Sequence, residues 1–193
     1  LPLKSMPAEI LYSGRDPFSR RIIVDKGTRN GVRAGSPVVD ESGVLGQVTR
    51  AHALVAEVTL LIDKDQAIPV QVVRNGLRAV AFGGGSSGLL ELRFLAANAE
   101  IVNGDQLITS GIDGIYPSGL PVAMVTRVER DTANTFARVF CQPAAGVERG
   151  RYVLVLGPDA SRPTQPEEAA PGVGRDQRSG KSRRQRMKGP DGA

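Results

Sequence analysis

The stretch Gly83-Gly84-Gly85-Ser86-Ser87-Gly88-Leu89-Leu90-Glu91-Leu92-Arg93-Phe94 decides the fold. Gly83, Gly85 and Gly88 have the spacing of a dinucleotide-binding fingerprint. That motif works only when a helix N-terminus follows, because helix amides and the helix dipole hold the pyrophosphate. Alternation follows instead: Leu90, Leu92 and Phe94 fall on one face, Glu91 and Arg93 on the other. This is the period of a half-buried strand. The glycine run therefore reads as a hairpin loop, and it lacks the Gly-Lys-Ser/Thr ending of a phosphate loop.

The same rhythm extends in both directions. Further strands are expected at Arg21–Val24, Val44–Arg50, Ala67–Val73, Arg78–Phe82, Gln106–Thr109, Val122–Arg130, Thr135–Gln142 and Tyr152–Leu156, with turn residues between them. Ala53–Ile62 is ambiguous, because Leu54, Val58 and Leu61 also fit a helical stripe. Strands at this spacing without intervening helices cannot be βαβ units. The expected fold is all-β, with two small, mostly antiparallel, barrel-like lobes. A weak repeat supports two lobes on one plan. Gly31-Val32-Arg33-Ala34-Gly35-Ser36-Pro37-Val38 resembles Gly114-Ile115-Tyr116-Pro117-Ser118-Gly119-Leu120-Pro121-Val122, and each leads into a Val-Thr-Arg strand. In both, Gly supplies turn angles and Pro opens a strand.

The 193 residues comprise 40% hydrophobic and 23% charged residues, a folded composition with no Trp. No apolar run reaches the roughly 20 residues of a membrane helix. LPLKSMPAEI has neither an initiator Met nor the apolar stretch of a signal peptide, so the chain reads as a mature or truncated piece. Residues 1–7 are expected to be linker and residues 8–156 the β region. The lobe boundary falls near 65–75 if the lobes are sequential, and elsewhere if they interleave. Charge is uneven: residues 1–156 hold 17 Lys/Arg against 15 Asp/Glu, and residues 157–193 hold 8 against 5. Residues 157–193, rich in Pro, Gly and Arg, cannot bury enough apolar surface to offset their ordering entropy and are expected to be a disordered basic tail. The run RSGKSRRQRMK (Arg178–Lys188) reads as a solvated tail, or as a segment attracted to an anionic lipid surface or nucleic acid. No aromatic lies near it to stack on bases, which argues against specific nucleic-acid binding.

Catalytic chemistry finds few residues. The single histidine, His52, must be the base of any triad, with Asp25 or Asp63 as orienter and Cys141 or a Ser as nucleophile. Cys141 shares a strand face with Ala137 and Val139, the place of a buried structural thiol. One His and one Cys cannot build a zinc site without carboxylates. Asp63-Lys64-Asp65 and Asn103-Gly104-Asp105 read as turns. No cofactor or metal is expected, and a non-catalytic binding module is favoured. Two other readings are a β-barrel adaptor of an envelope transport or secretion assembly and a two-barrel hydrolase using His52.

Several segments carry a resemblance. Arg15-Asp16-Pro17, Ile23-Val24-Asp25-Lys26-Gly27, Gly31-Val32-x-x-Gly35-x-Pro37-Val38, Gly43-Val44-Leu45-Gly46-Gln47-Val48 and Ile68-Pro69-Val70 occur in order. Then comes the most specific run, Gly104-Asp105-Gln106-Leu107-Ile108-Thr109-Ser110-Gly111, continuing through Gly114 and Gly119 to Pro121-Val122. The chain over about 8–156 resembles the extracytoplasmic β region of the rod-shape-determining MreC family. It departs at Ala123-Met124, where that family usually has Gly after Pro-Val. Gly27, Gly31, Gly35, Pro37, Gly104, Asp105, Gly111, Gly114, Gly119 and Pro121 match the family's structural turns.

The resemblance implies a periplasmic, inner-membrane-anchored scaffold of lateral peptidoglycan synthesis that maintains rod shape, self-associates and performs no reaction. Implied partners are the elongation transpeptidase (penicillin-binding protein 2), MreD, RodZ, RodA and the actin-like MreB system. The anchor the resemblance implies is a helix upstream of the β region. Tyr116, Pro117 and Leu120, an aromatic and a Leu in a Pro/Gly turn, are the candidate partner-facing residues, and local packing under the turn is the other reading of the same three.

Overall fold

In the computed structural model, residues 4–14, 19–130, 136–148 and 150–157 are described. The proposed tail, residues 157–193, lies outside them apart from Gly157. Twelve strands run in chain order: β1 (Ser5–Ser13), β2 (Arg21–Val24), β3 (Pro37–Val39), β4 (Val44–Ala51), β5 (Ala56–Leu60), β6 (Ala67–Val72), β7 (Arg78–Gly83), β8 (Leu90–Ala96), β9 (Gln106–Thr109), β10 (Pro121–Glu129), β11 (Phe136–Pro143) and β12 (Tyr152–Leu156). Among the described residues there is no α-helix, only short 3₁₀ turns at Thr28–Asn30 and Gly85–Ser87. None is long and apolar enough to cross a membrane.

The strands close into two barrels, all of whose neighbours are antiparallel. The first runs β1-β12-β3-β4-β5-β2, the second β10-β11-β8-β7-β6-β9. The fold is thus all-β with two small barrels. The second is continuous in sequence, whereas the first takes five strands from residues 5–60 and its sixth from 152–156, so one barrel is inserted within the other. β1 starts at Ser5, inside the stretch read as linker, because Ser5, Met6 and Pro7 pair with Leu156, Val155 and Leu154. The ambiguous segment is a strand: β5 pairs with both β2 and β4, and Ala56 and Val58 are fully buried.

Each barrel fills its interior with small branched side chains, each contributing about 1.5–3 kcal/mol on burial. The first holds Ile22, Val24, Val38, Val48, Val58 and Val155. The second holds Ile68, Val70, Leu90, Leu92, Leu107 and Val139. Val39, Val44, Leu61 and Leu156 belong to strands or ends of the first barrel but pack into the second barrel's cluster. The two lobes are therefore joined through shared apolar contact as well as two chain crossings.

The β3–β4 turn forms a key in that seam. Asp40 Oδ1 accepts the amides of Ser42 (2.7 Å) and Gly43 (2.9 Å), and Asp40 Oδ2 accepts Gly146 N–H at 3.0 Å. Gly43 has φ 155°, and a Cβ there would overlap the Pro121 carbonyl at the start of β10. Only glycine permits both that backbone angle and that approach.

The alternation read from Leu90 to Phe94 breaks at its last member. β8 and β11 slip register between Ala137 and Val139, which pair with Leu95 and Leu92. Leu92 and Leu95 both turn inward, and Phe94, held at φ 61°, turns out. A bulge re-aims one side chain in this way.

Candidate functional site

The motif run from Gly104 to Pro121 is a structural knot. Asp105 is buried, and its carboxylate accepts Arg74 Nε at 2.8 Å, Arg74 Nη2 at 3.0 Å and the Val102 amide at 3.0 Å. The Arg74 guanidinium, with help from the Val102 amide and against the cost of burial, holds this carboxyl below the ordinary value of 3.8. Gly31, Gly35, Gly104, Gly111, Gly114 and Gly119 all have φ between 70° and 91°. Pro37 and Pro121 open β3 and β10. At Gly27 a Cβ would overlap the His52 carbonyl, so this glycine lets the Thr28 turn pack on the β4–β5 connection.

Of the two readings of Tyr116, partner-facing or packed under its turn, the structure supports packing. It is 2% exposed and belongs to the second barrel's core. Its amide bonds Asp113 Oδ1 at 3.2 Å, while its hydroxyl has no hydrogen-bond partner. Burial first, then the Asp113 charge, raises the phenol well above its ordinary value. Leu120 is half-buried against the same core, and the Pro117 carbonyl accepts the Thr109 hydroxyl. The apolar side chains that this turn does expose are Ile112 and Ile115. A turn aromatic found a core beneath it, which local pattern alone does not distinguish from solvent.

The candidate catalytic groups do not assemble. His52 is exposed on the connection between β4 and β5 of the first barrel, where its amide donates to the Val55 carbonyl. Asp25 is tied to Lys26 at 2.6 Å and accepts the Glu9 amide at 2.7 Å. Asp63 is buried, accepting the Arg20 and Asp65 amides. Cys141 is fully buried in the other barrel, and burial pushes its thiol up to about 12. Among the described residues, no cluster of three or more His, Cys, Asp or Glu could hold a metal ion.

One exposed surface does concentrate distinctive chemistry, on the outer face of β7, β8, β11 and β10. Cross-strand pairing places Phe82 opposite Glu91, Glu91 opposite Phe140, and Phe140 opposite Arg127. Phe94 stands edge-on to Phe82 (6.3 Å between ring centroids) and to Phe136 (6.1 Å). Arg93 lies over the Phe82 ring at 5.2 Å, and Phe140 carries Arg127 at 4.4 Å and Arg138 at 5.2 Å. Glu91 accepts from Arg93 (3.2 Å) and Arg138 (3.1 Å), and Arg127 pairs with Glu129 at 3.2 Å. Four of the chain's five phenylalanines therefore share one face with three arginines. Phe94 is 74% exposed and Phe136 50%. A left-handed backbone costs a non-glycine residue about 1–2 kcal/mol, and a ring left mostly in water offsets little of it. Sequence reading missed this surface. Its signal was the inward set Ala137, Val139 and Cys141, which leaves Phe136, Arg138 and Phe140 outside.

These features define a paired-barrel β protein whose most distinctive exposed chemistry is aromatic and cationic. The family described as "Rod shape-determining protein MreC, barrel core" matches residues 10–157, covering both barrels, and the chain belongs to the MreC family. The "Cell shape-determining protein MreC" of Escherichia coli (strain K12) is 40% identical over 168 residues, 86% of this chain and 46% of that protein. Its counterpart in Haemophilus influenzae is 42% identical over 151 residues, 78% of this chain and 43% of that protein. The chain thus spans less than half the length of these curated relatives. The crystal structure of MreC from Pseudomonas aeruginosa shares 45% identity and a TM-score of 0.76, covering 79% of this chain and 98% of that one. MreC in a complex with penicillin-binding protein 2 from Helicobacter pylori shares the fold, with TM-score 0.62 at 22% identity over 79% of this chain and 97% of that one.

Proposed function

We propose that this chain is the periplasmic, non-catalytic body of a scaffold that organises peptidoglycan synthesis for rod shape and binds the elongation transpeptidase, penicillin-binding protein 2. The observation that carries the reading is the barrel-core match over residues 10–157, which takes in both barrels rather than one. The named complex of a family member with penicillin-binding protein 2 supports the choice of partner. Self-association, and a larger assembly with MreD, RodZ, RodA and the MreB system, belong to the same reading. So does an upstream helix that anchors the full-length protein. The two barrels, Ser5 to Leu156, act as the working body, and the basic run Arg178–Lys188 adds an electrostatic contact to anionic lipid. Deleting residues 175–193 should then lower cosedimentation with anionic vesicles at low salt, and unchanged cosedimentation would remove that contact.

The direct experiment immobilises the 193-residue chain and titrates the purified extracytoplasmic region of the cognate transpeptidase in biolayer interferometry. Saturable, reversible binding is expected. Absence of binding beside a normal melting transition would reject the reading.

A further inference from the structure

We propose that the aromatic and arginine face of the second barrel is the docking surface for a protein partner that offers an apolar pocket rimmed with carboxylates, with Phe94 as the anchor in that pocket. The proposal rests on the scaffold reading above and gives it a location. Its first support is Phe94. Its backbone is strained at φ 61°, and its ring is 74% exposed. An aromatic ring that the fold strains to hold in water is not placed there by folding, and strain of this kind collects at functional positions. Exposed aromatics that gain their burial only in a complex are the usual anchors of interfaces.

The charge pattern selects the partner's chemistry. The side chains of Arg138 and Arg127 are 63% and 62% exposed, whereas Glu91, which two arginines share, is 14% exposed. The central acid therefore sits beneath Arg93 and Arg138, while Glu129, 45% exposed, stands beside Arg127 at the edge, so cations outnumber acids on the outer surface. The guanidiniums are also held in place, stacked on Phe82 and Phe140 or tied to Glu91. Planar forks fixed in advance suit bidentate pairing with carboxylates and lose little freedom on binding. An anionic lipid surface attracts cations that are free to follow its headgroups, whereas Arg93, Arg127 and Arg138 are held on Phe82, Phe140 and Glu91 in fixed orientations.

The test compares the full chain with Phe94→Asn and Phe94→Gly, residues that tolerate the left-handed backbone. A merely structural ring predicts lower stability in both, whereas an anchor held under strain predicts the reverse. The melting temperature should rise by a few degrees, while affinity for the purified transpeptidase region falls at least about tenfold. Arg138→Gln should weaken the same binding and flatten its salt dependence. A lower melting temperature in both Phe94 variants assigns the ring to packing and overturns the proposal whatever the binding shows. Wild-type-like transpeptidase affinity in both variants overturns the location and leaves the scaffold reading standing. A wild-type chain that does not bind the transpeptidase overturns both. Losses confined to self-association in sedimentation velocity, or to phosphatidylglycerol vesicles, overturn the proposal in favour of that occupant.

Discussion

Gly43→Ala should loosen the two barrels from each other. The new Cβ meets the Pro121 carbonyl, and the backbone sits at φ 155°, where side-chain-bearing residues are strained. Such strain costs about 1–3 kcal/mol. Moving the β3–β4 turn or the start of β10 to relieve the overlap costs about 1–3 kcal/mol more. Together these come to about 2–6 kcal/mol, and a central value of about 4 kcal/mol lowers the melting temperature by roughly 8–16 °C for a body of this size. The loss should also be local to the seam. The Ala144 amide donates to the Val122 carbonyl at 2.9 Å and the Gly146 amide to Asp40, so both protons should exchange faster with deuterium. Amides inside the first barrel, such as Ile22 opposite Val58, should keep their protection. Urea unfolding can be followed by tyrosine emission, since the chain has three Tyr and no Trp. Tyr116 is buried in the second barrel, while Tyr12 and Tyr152 are exposed on the first. A change under about 1 kcal/mol, with unaltered exchange at Ala144 and Gly146, would refute the idea that this turn locks the lobes.

Two further outcomes follow from the motif run. Tyr116→Phe removes a buried hydroxyl that has no partner, so stability should hold or rise by up to about 1 kcal/mol in chemical denaturation; a clear loss would reveal a bond the hydroxyl makes. Asp105 carries a depressed carboxyl, so its stabilisation is complete above the ordinary carboxylate value near 3.8 and is lost as pH falls through the lower folded-state value. Asp105→Asn should therefore lower stability at neutral pH and flatten the acid limb of a stability-against-pH curve, and an unchanged acid limb would dismiss the Arg74 pairing as its source.

Most of the sheet was legible because short apolar alternation and Gly/Pro turns are local signals. Arg21–Val24, Gln106–Thr109 and Tyr152–Leu156 stand as read. β1 was not legible because only Ala8 of its nine residues is fully inward, so it carries no alternation, and its pairing with β12 supplies the order. Phe94 deceived for a different reason. The pattern from Leu90 is strictly alternating, but the bulge that reverses its last member is set by the register of β11, some 45 residues away. The repeat between the Gly31 and Gly114 turns recorded a shared need for positive φ, seen at Gly31, Gly35, Gly114 and Gly119, and not the order of the lobes. The aromatic face emerges only when four strands are laid side by side, since Phe82 and Phe140 meet through Glu91 and not through sequence proximity.

The insertion of one barrel inside the other has a temporal consequence. During synthesis or export, residues 67–143 can complete their own barrel as soon as they emerge, whereas the first barrel waits for β12, made almost a hundred residues after β5. Until then β1 and β3 present bare hydrogen-bonding edges, the kind of template on which chains aggregate. The nascent molecule thus passes through a half-closed stage, and a chain cut short before Tyr152 has all six strands of one barrel and an adhesive, open other.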